Sequence, residues 1–332
     1  MKRTRLDGDW AFAEKSWQDG KKLACSTLEW LPAQVPGHVH VDLVKNGVIA
    51  DPFERMNELG CQWVDEGAFS YRTSFEFQPD ETRPQRLLGF SGLDGVCSVF
   101  LNGERIAEHD SMFVPLEVDV TTRLVAGENE LRVDFESAAR VGRDRRARYF
   151  AAEHLSENTE RFDERAFVRK AQYMYGWDWG PRLVSAGIWQ AVSLIEHAGR
   201  LRNVRVSQHH HPDRSVSVST LTAHDGDGVV VHCLDGAPPK AGDGALFHWE
   251  RPELWFPNGM GPQPLLALET YLCPPSFDAR SLPADPARAK ALLAEVAQDR
   301  LVTRIGLRRV RLVREPDPVS YTHLTLPTIL RV

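Results

Sequence analysis

An excess of positive charge is the first thing this chain lacks. Its 40 lysines and arginines face 46 aspartates and glutamates, leaving a formal net charge of −6. No uncompensated positive field exists to gather phosphates, so a nucleic-acid partner is disfavoured. Long hydrophobic runs are also missing: nothing approaches the roughly 18 apolar residues of a membrane-spanning helix, and no membrane partner is expected. The N-terminus, Met1-Lys2-Arg3-Thr4-Arg5-Leu6, meets Asp7 and Asp9 before an apolar signal core can develop, which makes the cytoplasm the expected location. Cysteine is scarce and odd in number. Cys25, Cys61, Cys97, Cys233 and Cys273 form no close pair, so they read as reduced core thiols rather than metal or redox ligands. There is no Walker loop, dinucleotide fingerprint or nucleophile-elbow serine, and no cofactor is expected.

Period-two hydrophobicity is present in abundance. Phe69, Tyr71, Thr73, Phe75 and Phe77 share one face of a predicted strand while Ser70, Arg72, Ser74 and Glu76 share the other. Val96 to Leu101 ends at the hairpin dipeptide Asn102-Gly103. Leu116, Val118 and Val120 alternate next, then Leu131, Val133 and Phe135 after Gly127-Glu128-Asn129. Many short strands divided by turn signals predict an all-β protein whose first part is a jelly-roll sandwich. From about Leu201 the alternation resumes at Val204/Val206 and Val216/Val218, with turns around Asp225 to Gly228 and at Asp235-Gly236, which predicts a smaller immunoglobulin-like sandwich. A helix is expected as an insertion near 285–298, with Asp285 as N-cap and Pro286 at the first helical position.

Three segments invite a functional reading. His209-His210-His211 suggests a metal, but adjacent histidines on an extended segment point alternately and no flanking ligand has suitable spacing, so no metal site is assigned. Arg143, Arg145, Arg146 and Arg148 lie beside Asp144 and the acidic stretch Glu153 to Glu164, and read as a solvated loop or partner-facing surface. Gln172-Tyr173-Met174-Tyr175-Gly176-Trp177-Asp178-Trp179-Gly180-Pro181-Arg182 sets four aromatics around one carboxylate. Aromatic faces stack on sugar rings and a carboxylate accepts paired hydroxyl hydrogen bonds, which is a sugar-site composition. An aromatic core corner in which Asp178 caps a turn has the same composition, and chemistry alone leaves both open.

Trp177-Asp178-Trp179-Gly180-Pro181, preceded by Arg169-Lys170-Ala171-Gln172-Tyr173, resembles the signature of the β-mannosidase branch of glycoside hydrolase family two. The resemblance covers nearly the whole chain. Val35-Pro36-Gly37-His38-Val39-His40-Val41-Asp42-Leu43, Asp51-Pro52-Phe53, Asn57-Glu58, Tyr71-Arg72, Leu93-Asp94-Gly95, Leu101-Asn102-Gly103 and Gly127-Glu128-Asn129-Glu130-Leu131 are similar to landmarks of its N-terminal, galactose-binding-like jelly roll. Pro252-Glu253-Leu254-Trp255-Phe256-Pro257-Asn258-Gly259 and Arg304-Ile305-Gly306-Leu307-Arg308 match its second sandwich. Phe69 departs from the family's usual Trp and Met174 from its commoner His.

The resemblance implies a retaining exo-hydrolase of terminal, non-reducing β-D-mannose, working through two glutamates about 5 Å apart. It places both in a (β/α)8 barrel of about 250 residues that follows the sandwiches. At ordinary domain sizes the jelly roll, expected over 1–197, and the second sandwich, expected over 198–317, leave no room for that barrel. No catalytic residue is therefore expected in this chain, which by itself should be inactive; the partners implied are a small β-mannoside and a barrel in cis. Asn57-Glu58 and Asn129-Glu130 mimic the family's Asn-Glu acid, but one lies in an early loop region and the other in a turn leading into a strand. Trp177 and Asp178 are the implied substrate-binding residues, in a loop that closes the −1 subsite: Asp178 bonds sugar hydroxyls and Trp177 supplies an apolar wall. Residues 318–332, including Val319-Ser320-Tyr321-Thr322-His323-Leu324, resemble translated sequencing adapter and read as a non-native tail. Two readings from other classes remain at this point: a stand-alone carbohydrate-binding sandwich, and a purely structural one.

Overall fold

The computed structural model describes residues 1–15, 17–18, 21–22, 29–153, 163–313 and 323–325. The chain divides into two compact units, Lys2–Glu196 and His197–Val332, the second including Met1.

In the first unit the aromatic alternation produces a long strand. The strands are β1 (Lys2–Arg5), β2 (Trp10–Glu14), β3 (Leu31–Ala33), β4 (Phe69–Phe77), β5 (Gln85–Phe90), β6 (Cys97–Leu101), β7 (Glu104–His109), β8 (Leu116–Asp119), β9 (Gly127–Phe135), β10 (Tyr175–Trp177), β11 (Gly180–Arg182) and β12 (Val192–His197). One antiparallel sheet runs β3-β2-β4-β9-β6-β7 and the other β1-β12-β5-β8. Strands β4 and β9 pair along their whole length, from Phe69 opposite Phe135 to Phe77 opposite Gly127. Their inward side chains fill the space between the sheets with Phe12, Tyr71, Leu88, Phe90, Leu131, Val133 and Phe135, all essentially inaccessible to water. The β6–β7 turn is made by Asn102 at φ 51° and Gly103 at φ 83°, the left-handed pair that a two-residue hairpin demands. Ser70 departs from the simple alternation: on the outward face of β4 it is buried, donating to Asp134, which also pairs with Lys15.

Helices that the alternation pattern did not signal complete this unit. Helix α1 (Val39–Lys45) is fixed by Asp42, whose carboxylate accepts from the Tyr71 hydroxyl at 2.7 Å and from the Gln34 backbone N–H at 2.8 Å. Asn57–Glu66 is a run of 3-10 turns rather than a plain loop. Helix α2 (Ala138–Ala152) begins at Ser137, whose hydroxyl accepts from the Arg140 N–H. The arginine cluster, expected as a solvated loop or partner surface, therefore sits on a helix. Its side chains are engaged within the unit: Arg143 pairs with Glu66 at 2.5 Å and Arg145 with Asp110 at 3.1 Å. Of the acidic stretch beside it, residues 154–162 lie outside the described residues.

The second unit contains β13 (Arg200–His210), β14 (Val216–Asp225), β15 (Val229–Leu234), β16 (Lys240–Ala241), β17 (Leu246–Trp249), β18 (Leu266–Cys273) and β19 (Asp299–Ile305). They form sheets β13-β14-β17 and β16-β15-β18-β19. Val204, Val216, Val218, Leu234, Phe247 and Leu268 make the core between them. Helix α3 (Pro286–Val296) starts at Asp285, whose carboxylate caps the Arg288 N–H. The two sequence landmarks of this unit meet: the Trp255 N–H donates to the Leu307 carbonyl at 3.0 Å. Gly306 lies so close to the Trp255 ring that a side chain there would collide at 2.9 Å.

The fold is thus all-β in its framework, a galactose-binding-like jelly roll followed by an immunoglobulin-like sandwich. Cys61, Cys97, Cys233 and Cys273 are free and buried, while Cys25 lies outside the described residues. So do residues 318–332 of the expected tail, apart from 323–325. Among the described residues no helix is long and apolar enough to cross a membrane.

Candidate sugar-contacting site

Strands β10 and β11 form a two-stranded hairpin, with Tyr175 opposite Arg182 and Trp177 opposite Gly180. Asp178 and Trp179 form its tip. Gly176 adopts φ 90°, a conformation most side chains avoid. Trp177 is 59% exposed, Trp179 81% and neighbouring Tyr173 66%, and Asp178 is exposed as well. The aromatic segment is consequently not a core corner. The Tyr173, Trp177 and Trp179 rings and the Asp178 carboxylate are open to solvent, while Tyr175 is buried against Ala138 and Val184.

A two-stranded ribbon is marginal alone, so its base must be tied down. Arg182 does this. Its Nε lies 3.0 Å from Asp65 Oδ2 and its terminal nitrogen 3.0 Å from Glu164 Oε1. Its guanidinium stands over the Tyr175 ring, 5.2 Å from the centroid. The Arg182 carbonyl accepts from the Gln62 side-chain amide at 2.9 Å, and Asp65 Oδ1 accepts from the Val184 N–H at 3.0 Å. Asp65 is itself buried, and burial raises its pKa to about 6 against the opposing pull of Arg182.

Beneath the segment that enters the hairpin lies a second buried ion pair. Lys170 Nζ donates to both Asp94 oxygens, at 2.5 and 2.6 Å, and to the Ser185 carbonyl at 2.6 Å. Burial lowers the Lys170 pKa from its ordinary value, and the Asp94 carboxylate opposes that shift. His38 Nδ1 is 3.7 Å from Asp94 Oδ2, and His40 Nδ1 is 3.0 Å from Ser185 Oγ. Burial pushes the His40 pKa down to about 4, so this ring is neutral at physiological pH.

Of the residues read as sugar-binding, Trp177 and Asp178 are therefore brought together on one clamped hairpin. The clamp itself, Gln62, Asp65, Glu164 and Arg182, was not singled out by sequence. Only Arg182 lay within the aromatic segment, and nothing local shows which carboxylates it meets. Of the two Asn-Glu pairs, Asn57 and Glu58 begin the 3-10 run, and Asn129 is buried with its side chain bonded to Val125 and Gly127. A cleft of about 410 Å³ lined by Leu6, Phe75, Phe77 and Leu194 includes none of the hairpin residues. Among the described residues, no group of three or more His, Cys, Asp or Glu side chains could hold a metal ion.

By its similarity to known sequences, the first unit is a domain of the glycoside hydrolases. The family model described as "Glycosyl hydrolase 2 galactose-binding domain-like" matches residues 10–190, and the chain belongs to that family. Beta-mannosidase B from Thermothelomyces thermophilus is 34% identical over 328 residues, covering 94% of this chain and 35% of that protein. Beta-mannosidase B from Emericella nidulans is 34% identical over 289 residues, covering 80% of this chain and 33% of that protein. The crystal structure of a beta-D-mannosidase from Dictyoglomus thermophilum superposes with a TM-score of 0.70 at 30% identity, covering 94% of this chain and 37% of that one. A b-glucuronidase from Ruminococcus gnavus shares the fold at a TM-score of 0.57 and 17% identity, over 94% of this chain and 46% of that one. The chain spans about a third of the length of the curated relatives it matches.

Proposed function

We propose that this chain is the sugar-contacting, non-catalytic part of a retaining exo-β-mannosidase acting on terminal, non-reducing β-D-mannose. The observation that carries the reading is the exposed Trp177–Asp178 pair on a hairpin anchored by Arg182, in a chain similar to proteins named as β-mannosidases. In this reading Asp178 accepts hydrogen bonds from hydroxyls remote from the scissile bond while Trp177 walls the apolar face of the ring, closing the −1 subsite. Such contacts supply binding energy that orients the reacting sugar. The acid/base and nucleophilic carboxylates, which must flank the glycosidic bond at about 5 Å from each other, belong to a barrel joined to this chain in cis.

Hydrolysis of an aryl β-mannoside tests the assignment. The 332-residue chain should show no turnover above buffer, and the same chain joined to the remaining two thirds found in its relatives should show turnover specific for the manno configuration. Turnover by the chain alone would overturn the division of labour. If mannose nonetheless binds the isolated chain measurably, a stand-alone carbohydrate-binding role becomes the better description.

A further inference from the structure

The first unit leaves apolar side chains open to solvent on two segments that are tied to the hairpin. One is the 3-10 run Asn57–Glu66. A 3-10 helix repeats every three residues, so Leu59, Gln62 and Asp65 fall in one row. The row begins in the clamp, where Asp65 pairs with Arg182 and Gln62 donates to the Arg182 carbonyl. It ends at exposed Leu59, and Phe53, Met56 and Trp63 of the same stretch are exposed as well. The other segment follows Met112, whose N–H donates to the Arg169 carbonyl at 2.8 Å, just before the residues that enter the hairpin. Phe113 there is exposed too. Clustered apolar exposure of this kind marks an interaction surface.

We propose that Phe53, Met56, Leu59, Trp63 and Phe113 form the face on which the rest of the protein, the barrel joined in cis, docks. The identity of that occupant rests on the functional reading above. Three observations favour it. The chain spans about a third of the length of its curated relatives, so in such proteins about two thirds of the chain packs elsewhere. The barrel's carboxylates must act on the ring that Asp178 holds, which brings the barrel surface to the hairpin whose base these residues adjoin. The hairpin tip alone is also too small a contact. Domains joined in one chain bury about 600–1,500 Å², whereas two Trp side chains offer about 150–250 Å² each, and in this reading Trp177 faces the sugar instead. Five large apolar side chains at the hairpin's base supply the balance.

The test is maleimide labelling of Leu59→Cys and, separately, Phe113→Cys, each in the 332-residue chain and in the complete enzyme. The parent in each form, whose Cys61, Cys97, Cys233 and Cys273 are buried, sets the background, and thermal melting confirms that each variant is folded. Both introduced thiols should react readily in the chain. In the complete enzyme they should react at least about tenfold more slowly, because labelling must there wait for local opening, and denaturing urea should restore the full rate. Equal rates in the two forms would overturn the proposal. Protection in the chain alone that grows with its concentration would do the same, since a second copy would then cover the face. Aryl β-mannoside hydrolysis by the complete parent enzyme is read separately. Protection without turnover leaves the docking face standing and removes the functional reading, and turnover with both thiols freely labelled does the reverse.

Discussion

Lys170 and Asp94, 76 positions apart in the chain, are locked together by two hydrogen bonds of 2.5 and 2.6 Å with almost no access to water. Each belongs to a segment that the sequence marked as a landmark, and neither faces solvent. Removing one partner strands the other charge. Lys170→Met should therefore destabilise the chain by about 3–5 kcal/mol, the usual cost of breaking a buried pair. Urea unfolding measures it; Asp94→Asn added to Lys170→Met should recover part of the loss. A loss below about 1 kcal/mol would show the pair to be incidental.

The Tyr71 hydroxyl makes a separable prediction. Its ring stacks on Phe12 at 5.9 Å and meets Phe135 edge-on at 5.9 Å, so Tyr71→Phe keeps the packing. What it loses is the bond to buried Asp42. The expected cost is about 1–3 kcal/mol, that of leaving a buried acceptor unsatisfied. Equal unfolding midpoints for parent and variant would contradict it.

The clamp on the hairpin should be visible in hydrogen exchange. Arg182→Ala removes the counter-charge of Asp65 and Glu164, and the Leu183 amide, which donates to the Met174 carbonyl at 2.9 Å, should exchange at least about tenfold faster, as local opening predicts. Arg182→Lys should restore part of the protection. Unchanged exchange in Arg182→Ala would mean that the hairpin holds without its base.

Acid should weaken the second unit through His232. This ring is fully buried between Thr222 and Thr270, and burial lowers its pKa to about 4. The unfolded chain takes up the proton first, near 6.5, so stability is complete above that pH and falls as pH drops from about 6.5 to 4. The loss is about 3 kcal/mol, because a proton bound by the unfolded chain alone costs the fold about 1.4 kcal/mol for every pH step between those two values. In the first unit His40, also lowered to about 4, acts in the same direction. Asp65, raised to about 6, acts oppositely: the folded state keeps its proton to higher pH than the unfolded chain, so stability falls as pH rises from about 4 to 6. The second unit should accordingly show the steeper acid limb. Urea titrations of His232→Gln between pH 4 and 7 check this, and a pH dependence identical to the parent's would refute the assignment.

How far sequence reaches can be read from particular elements. The alternation of Phe69 to Phe77 and the Asn102-Gly103 turn are local signals, and the chain obeys them, because strand faces and left-handed turns are fixed by neighbours in sequence. Helix α2 escaped because its exposed arginines dilute the apolar periodicity and Gly142 interrupts it. That glycine is needed: a side chain there would meet the Glu164 carbonyl oxygen at 2.6 Å. At the candidate site, the aromatic composition around Asp178 was legible, while the clamp was not. Asp65 lies 117 positions before Arg182, and their meeting is a property of the folded sheet rather than of any spacing.

The central claim rests on Asp178. Its most direct test is kcat/KM for an aryl β-mannoside in the complete enzyme, parent against Asp178→Ala. Loss of charged hydrogen bonds made in the transition state should lower kcat/KM at least about thirtyfold, equivalent to about 2 kcal/mol. Unchanged kinetics would remove the hairpin from the sugar site and contradict the account.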